Sequence, residues 1–376
     1  MNQTLLGLVA LTGVSALAFA GCAPPPEPNP SPPVVTATAT QEPTPTESST
    51  PPATLKACMV SDVDGFADKS INETARKGLV AAQQQFGIET GQIESSAEDD
   101  FAPNIQSMID ANCHIIFTIG DTLANATEAA AKQNPDIKFA IVDHGSFDGL
   151  TNVRGLEFNT AESSFMGGYL AAAMSRTGKV GTFGGAKVPA VTIFMDGFEQ
   201  GVDHYNETKG KNVQVIGWDA ARQDGLFMPG DDPSGDIVGG EDTANKLIGQ
   251  GADIILPVAG PAGVGALRAV QASQGKVAAI WAGIDGCVSE AEFCPSILST
   301  VYEAVDVAVL DTVKAAVEGS YTSDPFVGTL KNEGTGLSPF HEFAGKVPAE
   351  VSTELDQIRA DIVSGRITIT SPAQPK

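Results

Sequence analysis

Three short apolar runs end in aspartate. Cys58-Met59-Val60-Ser61 is followed by Asp62, Phe139-Ala140-Ile141-Val142 by Asp143, and Ile280-Trp281-Ala282-Gly283-Ile284 by Asp285. If each run is a strand of an open α/β sheet, its carboxylate stands at the strand's carboxyl end, where such sheets bind ligands. An ionised Asp accepts several hydrogen bonds and can hold a diol through both oxygens. Three of them suit a guest rich in hydroxyl or amide donors. Any one alone would serve equally well as a helix cap or turn initiator; the repetition favours a site.

Other candidates are weaker. Gly260-Pro261-Ala262-Gly263-Val264-Gly265 opens a predicted helix after a strand, but lacks dinucleotide spacing and a Gly-Lys-Ser/Thr. It reads as close backbone approach to an uncharged ligand, or as turn glycines without one. Phe194 and Phe198 share a helical face, a spacing that suits core packing, or stacking on a planar base if one ring faces a cleft. Asp62, Asp64 and Asp68 alternate over too short a span for a calcium loop. His114, His144, His204 and His341 are scattered, and no serine has a local nucleophile–base arrangement. No metal, cofactor or catalytic residue is expected.

These residues need elements to carry them. The 376 residues are 42% hydrophobic, 6% aromatic and carry a net charge of −24. That length suggests two domains, and that charge argues against nucleic acid as a partner. From Leu55 onward, short apolar runs alternate with helical patterns, the signature of parallel sheets covered on both faces. Strand Lys56–Ser61 leads to a helix with Ser70 and Glu73 as a capping box and a stop at Gly87. A second series of similar plan begins near Glu162. Ser299–Glu318 reads as a helix, and Phe326–Leu330 and Gly336–Glu342 as extended segments.

The N-terminus reads as an address. Thr4 to Ala20 form a signal-peptide apolar stretch, and Leu17-Ala18-Phe19-Ala20-Gly21-Cys22 resembles a bacterial lipobox, with Cys22 as the lipidated residue. Residues 1–21 are thus a signal peptide, and 22–54 include a Pro/Thr-rich tether that cannot bury enough apolar surface to order itself. In an oxidising compartment the remaining cysteines are candidates for pairing. Cys287 and Cys294 close a short loop and are the preferred pair; pairing of Cys58 with Cys113 stays open.

An ordered set of motifs carries a resemblance. It runs from Ser61-Asp-Val-Asp-Gly-Phe-Ala-Asp-Lys-Ser-Ile-Asn-Glu through Pro135–Asp143, Gly178–Gly181, Phe194–Gly201, Gly251–Ile255 and Gly283–Asp285 to Val305–Val309. Together they resemble the basic membrane protein family, substrate-binding lipoproteins of ABC transporters whose best-understood members bind purine nucleosides. The resemblance implies a type I periplasmic-binding fold, with two doubly wound α/β lobes joined by three crossings. It places an N-terminal lobe at 55–159 plus 301–325 and a C-terminal lobe at 160–300 plus 326–371. Asp62, Asn72 and Asp143 would serve from the first lobe, and Gly260 and Asp285 from the second, Asp285 on the ribose. Phe198 and Phe227 are the candidate cleft rings. Two positions depart from the family pattern: Ile71 stands where a phenylalanine is usual, and Glu303 where a lysine is usual.

The expected function follows. The chain would be a lipid-anchored protein on the extracytoplasmic face of the cell membrane, closing on a nucleoside-like molecule and docking on an ABC permease. The competing readings are a surface sensor or adhesin with the same fold, a binding protein for another small polar ligand such as a sugar, and a nucleoside hydrolase.

Overall fold

The computed structural model describes residues 54–230 and 235–375; Cys22, the tether up to residue 53 and residues 231–234 lie outside them. In chain order, β1 (Lys56–Val60), β2 (Glu89–Ile93), β3 (Ile115–Ile119), β4 (Lys138–Val142) and β5 (Val153–Phe158) enter a first sheet. A second sheet takes β6 (Lys179–Gly184) and β7 (Gln214–Ile216), while β8 (Trp218–Asp219) and β9 (Asp224–Gly225) form a small hairpin. The second sheet continues with β10 (Ile254–Val258), β11 (Ala278–Gly283) and β12 (Ile297–Glu303). Then β13 (Phe326–Gly328) returns to the first sheet and β14 (Thr335–Leu337) to the second. The spatial orders, β13-β5-β4-β3-β1-β2 and β14-β12-β11-β10-β6-β7, are one plan used twice. Within these two sheets every pairing is parallel except β12 with β14.

Alternation along β1 shows why its run is almost wholly apolar. Ala57 and Met59 join one core with Phe117 and Leu79, while Cys58 and Val60 join another with Ile105 and Phe139. Successive side chains face opposite sides of a strand, so a sheet clothed on both faces needs apolar residues at every position. The clothing of the first sheet comes from α1 (Ile71–Phe86), α2 (Phe101–Asp110) and α3 (Ala124–Gln133). Around the second sheet pack α4 (Thr160–Met174), α5 (Pro189–Lys209), α6 (Ile237–Gly249), α7 (Gly263–Ala272) and the short α8 (Gly286–Ser289). Next, α9 (Val305–Val317) returns to pack on α1, and α10 (Ala349–Val363) closes over α4. Between α4 and α5, a Cβ at Gly168 would strike the Phe198 carbonyl and one at Gly201 the Phe165 carbonyl, so only glycine permits this approach.

Two expectations are corrected. The helix expected over Ser299–Glu318 begins at Val305, because Ile297–Glu303 is strand β12, rich in β-branched residues and buried over its first five. The segment 326–371, expected wholly in the second lobe, is divided. Phe326–Gly328 extends the parallel ladder of β5, and Phe326 packs edge-on against Phe158. Residues 301–303 correspondingly belong to the second sheet.

Candidate functional site

Parallel strands bring their carboxyl ends to one edge, and the ends of β1, β3 and β4 meet those of β6, β10, β11 and β12 around a cavity of about 380 Å³. Asp62 stands two residues past β1. Its Oδ1 accepts from the Asp64 amide at 2.9 Å and from Asn72 Nδ2 at 2.8 Å, while its own amide donates to Asn72 Oδ1 at 3.2 Å. Asn72 is wholly buried and is held in turn by Asp68, whose Oδ2 accepts from the Asn72 amide at 3.1 Å and from Nδ2 at 2.9 Å. The other Asp68 oxygen accepts from the amides of Ser70 and Glu73 at 2.9 and 3.0 Å. Asp68, not the expected Ser70, therefore satisfies the orphan donors at the start of α1, and Ser70 borders the cavity. Burial pushes the Asp62 carboxyl up to about 7 against these hydrogen bonds, with help from the charges of Asp64 and Asp68.

Asp143 directly follows β4 with a left-handed φ of 62°, a conformation that Asp tolerates better than most residues. It lines the cavity, and burial followed by the charges of Asp121, Asp62 and Glu157 raises its carboxyl to about 7. Across from it, Glu303 closes β12 on the second sheet; burial, then the charge of Asp143, holds it well above the usual carboxylate range. Asp121 reaches the same cavity from β3. The opposing wall is apolar, with Val188, Val191, Phe194, Val258 and Pro261, and Ile71 lies on the first sheet's side. Gly260, at a φ of 52°, offers backbone there without a side chain.

The expected site residues separate accordingly. Asp62, Asp143 and Gly260 line the cavity, and Asn72 stands behind Asp62. Phe198 is corrected: its ring is wholly buried in the core with α4, and Phe194, one turn earlier, borders the cavity. Phe227 is not among the residues lining the cavity: its backbone pairs with Gly184 and its ring lies edge-on to Trp218 at 5.9 Å. Asp285, expected on the ribose, lies outside the lining of this cavity. Strand β11 stops at Gly283, whose φ of 99° turns the chain before Asp285 is reached. Asp285 Oδ1 then caps α8 through the Cys287 amide at 3.1 Å, and Oδ2 meets His341 Nε2 at 2.8 Å. It borders an adjoining cavity of about 490 Å³, shared with Glu303, Tyr302 and Thr74. Cys287 is joined to Cys294 and Cys58 to Cys113, with Cα separations of 4.6 and 5.9 Å.

Sequence reasoning missed Asp121, which carries the same strand-to-acid signal as Asp62, displaced by one glycine after Ile115–Ile119. Glu303, singled out only as a departure from the family pattern, ends strand β12 rather than lying within the helix expected from Ser299.

Residues 55–223 match the family described as ABC transporter substrate-binding protein, PnrA-like. Basic membrane protein A2 of Borrelia garinii is 33% identical over 205 residues, 54% of this chain and 56% of that protein, so the alignment spans little more than half of that relative. The ABC transporter nucleoside-binding protein BmpA of Lactococcus lactis is 26% identical over 337 residues, 84% of this chain and 89% of that protein. A solved solute-binding protein of an ABC transporter system from Aeropyrum pernix superposes with a TM-score of 0.70 at 23% identity, over 85% of this chain and 94% of that one. That likeness and the twice-used sheet plan are those of a type I periplasmic-binding fold. Over residues 55–223, somewhat less than half of its length, the chain is thus similar to ABC transporter substrate-binding proteins of the PnrA-like family.

Proposed function

We propose that this protein is the receptor of an ABC importer, that it holds a nucleoside of purine type between its two sheets, and that Cys22 carries the lipid that tethers it. One observation carries the reading. The carboxyls of Asp62 and Asp143 face Phe194, Val258 and Gly260 across a single cavity, setting hydrogen-bonding groups of the first lobe against a wall of the second that is apolar apart from Glu303. A nucleoside has that division, with a flat base to lie on an apolar wall and hydroxyl and amino donors for carboxyl oxygens. Only a closed state satisfies both halves, so ligand favours closure about the crossings between lobes, and a permease can read the closed form. A relative named for nucleoside binding supports the choice of ligand class.

Calorimetry with adenosine, guanosine, inosine, uridine and ribose tests this. Saturable binding of a purine nucleoside, with no free base released, is expected. Binding of ribose or uridine in preference to every purine nucleoside would overturn it. For the anchor, Cys22→Ser should release the protein from the membrane fraction.

A further inference from the structure

Charge around the cavity is one-sided. Six carboxyl-bearing residues line it, and among the described residues no Lys, Arg or His does. Asp62 and Asp68 are engaged by Asn72 and by backbone amides. Asp143 and Glu303 differ: neither carboxyl has a hydrogen-bond or ion-pair partner among the described residues, and they project from opposite sheets into the same space. Both are partly buried, and the charge of Asp143 disfavours ionisation of Glu303. An unpaired buried carboxylate is costly, and removing the cost requires a proton or a cation. A neutral hydroxyl supplies a donor without charge. An ammonium supplies three donors and the opposing charge together.

We propose that the ligand carries a protonated amine and that this group sits between Asp143 and Glu303. This rests on the cavity being the binding site, as above, and narrows the ligand class from neutral nucleosides to amine-bearing ones. The groups facing Asp143 are Asp121, Asp62, Glu157 and Glu303; His144 lies 3.9 Å from Asp121. Lys77, which borders the adjoining cavity beside Glu303, is committed to Glu73 at 2.9 Å. No cation of the described chain thus competes for the position. Binding an ammonium favours the ionised pair, so affinity for it rises with pH while the amine stays protonated. A neutral ligand accepting a hydrogen bond from a protonated carboxyl shows the opposite slope.

The test is calorimetry on the full chain with adenosine and its 5′-amino-5′-deoxy and 3′-amino-3′-deoxy analogues, at about pH 6 and about pH 7.5. At least one amino analogue should bind about tenfold tighter than adenosine, with the ratio growing at the higher pH. Glu303→Gln should collapse that ratio towards one; if that variant fails to fold, Asp143→Asn is read in the same way. Adenosine binding as tightly as both analogues at both pH values overturns the inference and leaves the cavity assignment standing. A ratio untouched by the substitution also overturns it. Absence of binding by every probe overturns both readings.

Discussion

Asn72 and Asp62 hold each other reciprocally: the Asn72 side-chain amide donates to the Asp62 carboxyl at 2.8 Å, and the Asp62 backbone amide donates to Asn72 Oδ1 at 3.2 Å. The carboxyl at the tip of β1 is thus aimed by the first turn of α1. Asn72→Ala should lower affinity for the bound ligand several-fold and cost about 1–3 kcal/mol of stability, because the substitution strands buried partners. Urea melts and calorimetry on one preparation read both effects; unchanged affinity would show that Asp62 is oriented without Asn72.

Stability should depend on pH through the cavity carboxyls. The Asp143 carboxyl rises from an ordinary 3.8 to about 7 on folding, so between those values the folded chain holds a proton that the unfolded chain has released. Its contribution is complete below the unfolded value and is lost as pH climbs through the folded one. Asp62, raised likewise to about 7, acts in the same direction. Denaturation midpoints from about pH 4.5 to about pH 7.5 should fall less steeply for Asp143→Asn than for the parent protein. Parallel slopes would contradict the shift.

The two phenylalanines of α5 should part company. Phe198→Ala empties a wholly buried position and should cost about 3–5 kcal/mol of stability. Phe194→Leu keeps apolar volume and should cost less than about 1.5 kcal/mol while weakening a ligand with a planar base. Equal losses of affinity at both positions, after allowing for the unfolded fraction, would remove Phe194 from the wall.

The disulfides should differ in worth. Cys58–Cys113 spans 55 residues and Cys287–Cys294 spans 7. Loop-closure entropy then assigns about 4 kcal/mol to the first and about 2 kcal/mol to the second. Paired Cys→Ser variants compared by urea denaturation check the order.

Reading the chain unaided reached the sheets and much of the first lobe's share of the cavity, because strands β1 and β4 run almost directly into their aspartates. It failed where the signals are three-dimensional. Phe194 and Phe198 lie one turn apart on one helix and both are nearly buried, so helical phase cannot say which borders a cavity. A carboxylate after a strand can cap a helix, and Asp285 does. Residues 297–317 pass from strand to helix with only Ala304 between, which blends two periodicities and made Ser299–Glu318 read as one helix. Strand β13 is three residues long, too short to display alternation, so its sheet is set by the open edge of β5 rather than by its own pattern.

The return of α9 and β13 to the first sheet has a consequence for biosynthesis. While the ribosome is still translating the second sheet, the earlier half lacks both an edge strand and the helix that covers α1, because Val305–Val317 and Phe326–Gly328 are not yet made. Neither half is therefore a unit that matures alone during synthesis. Until Val305–Gly328 has been made, apolar surface around Leu79 and Phe158 lacks part of its final cover, and such transiently exposed surface is prone to aggregate.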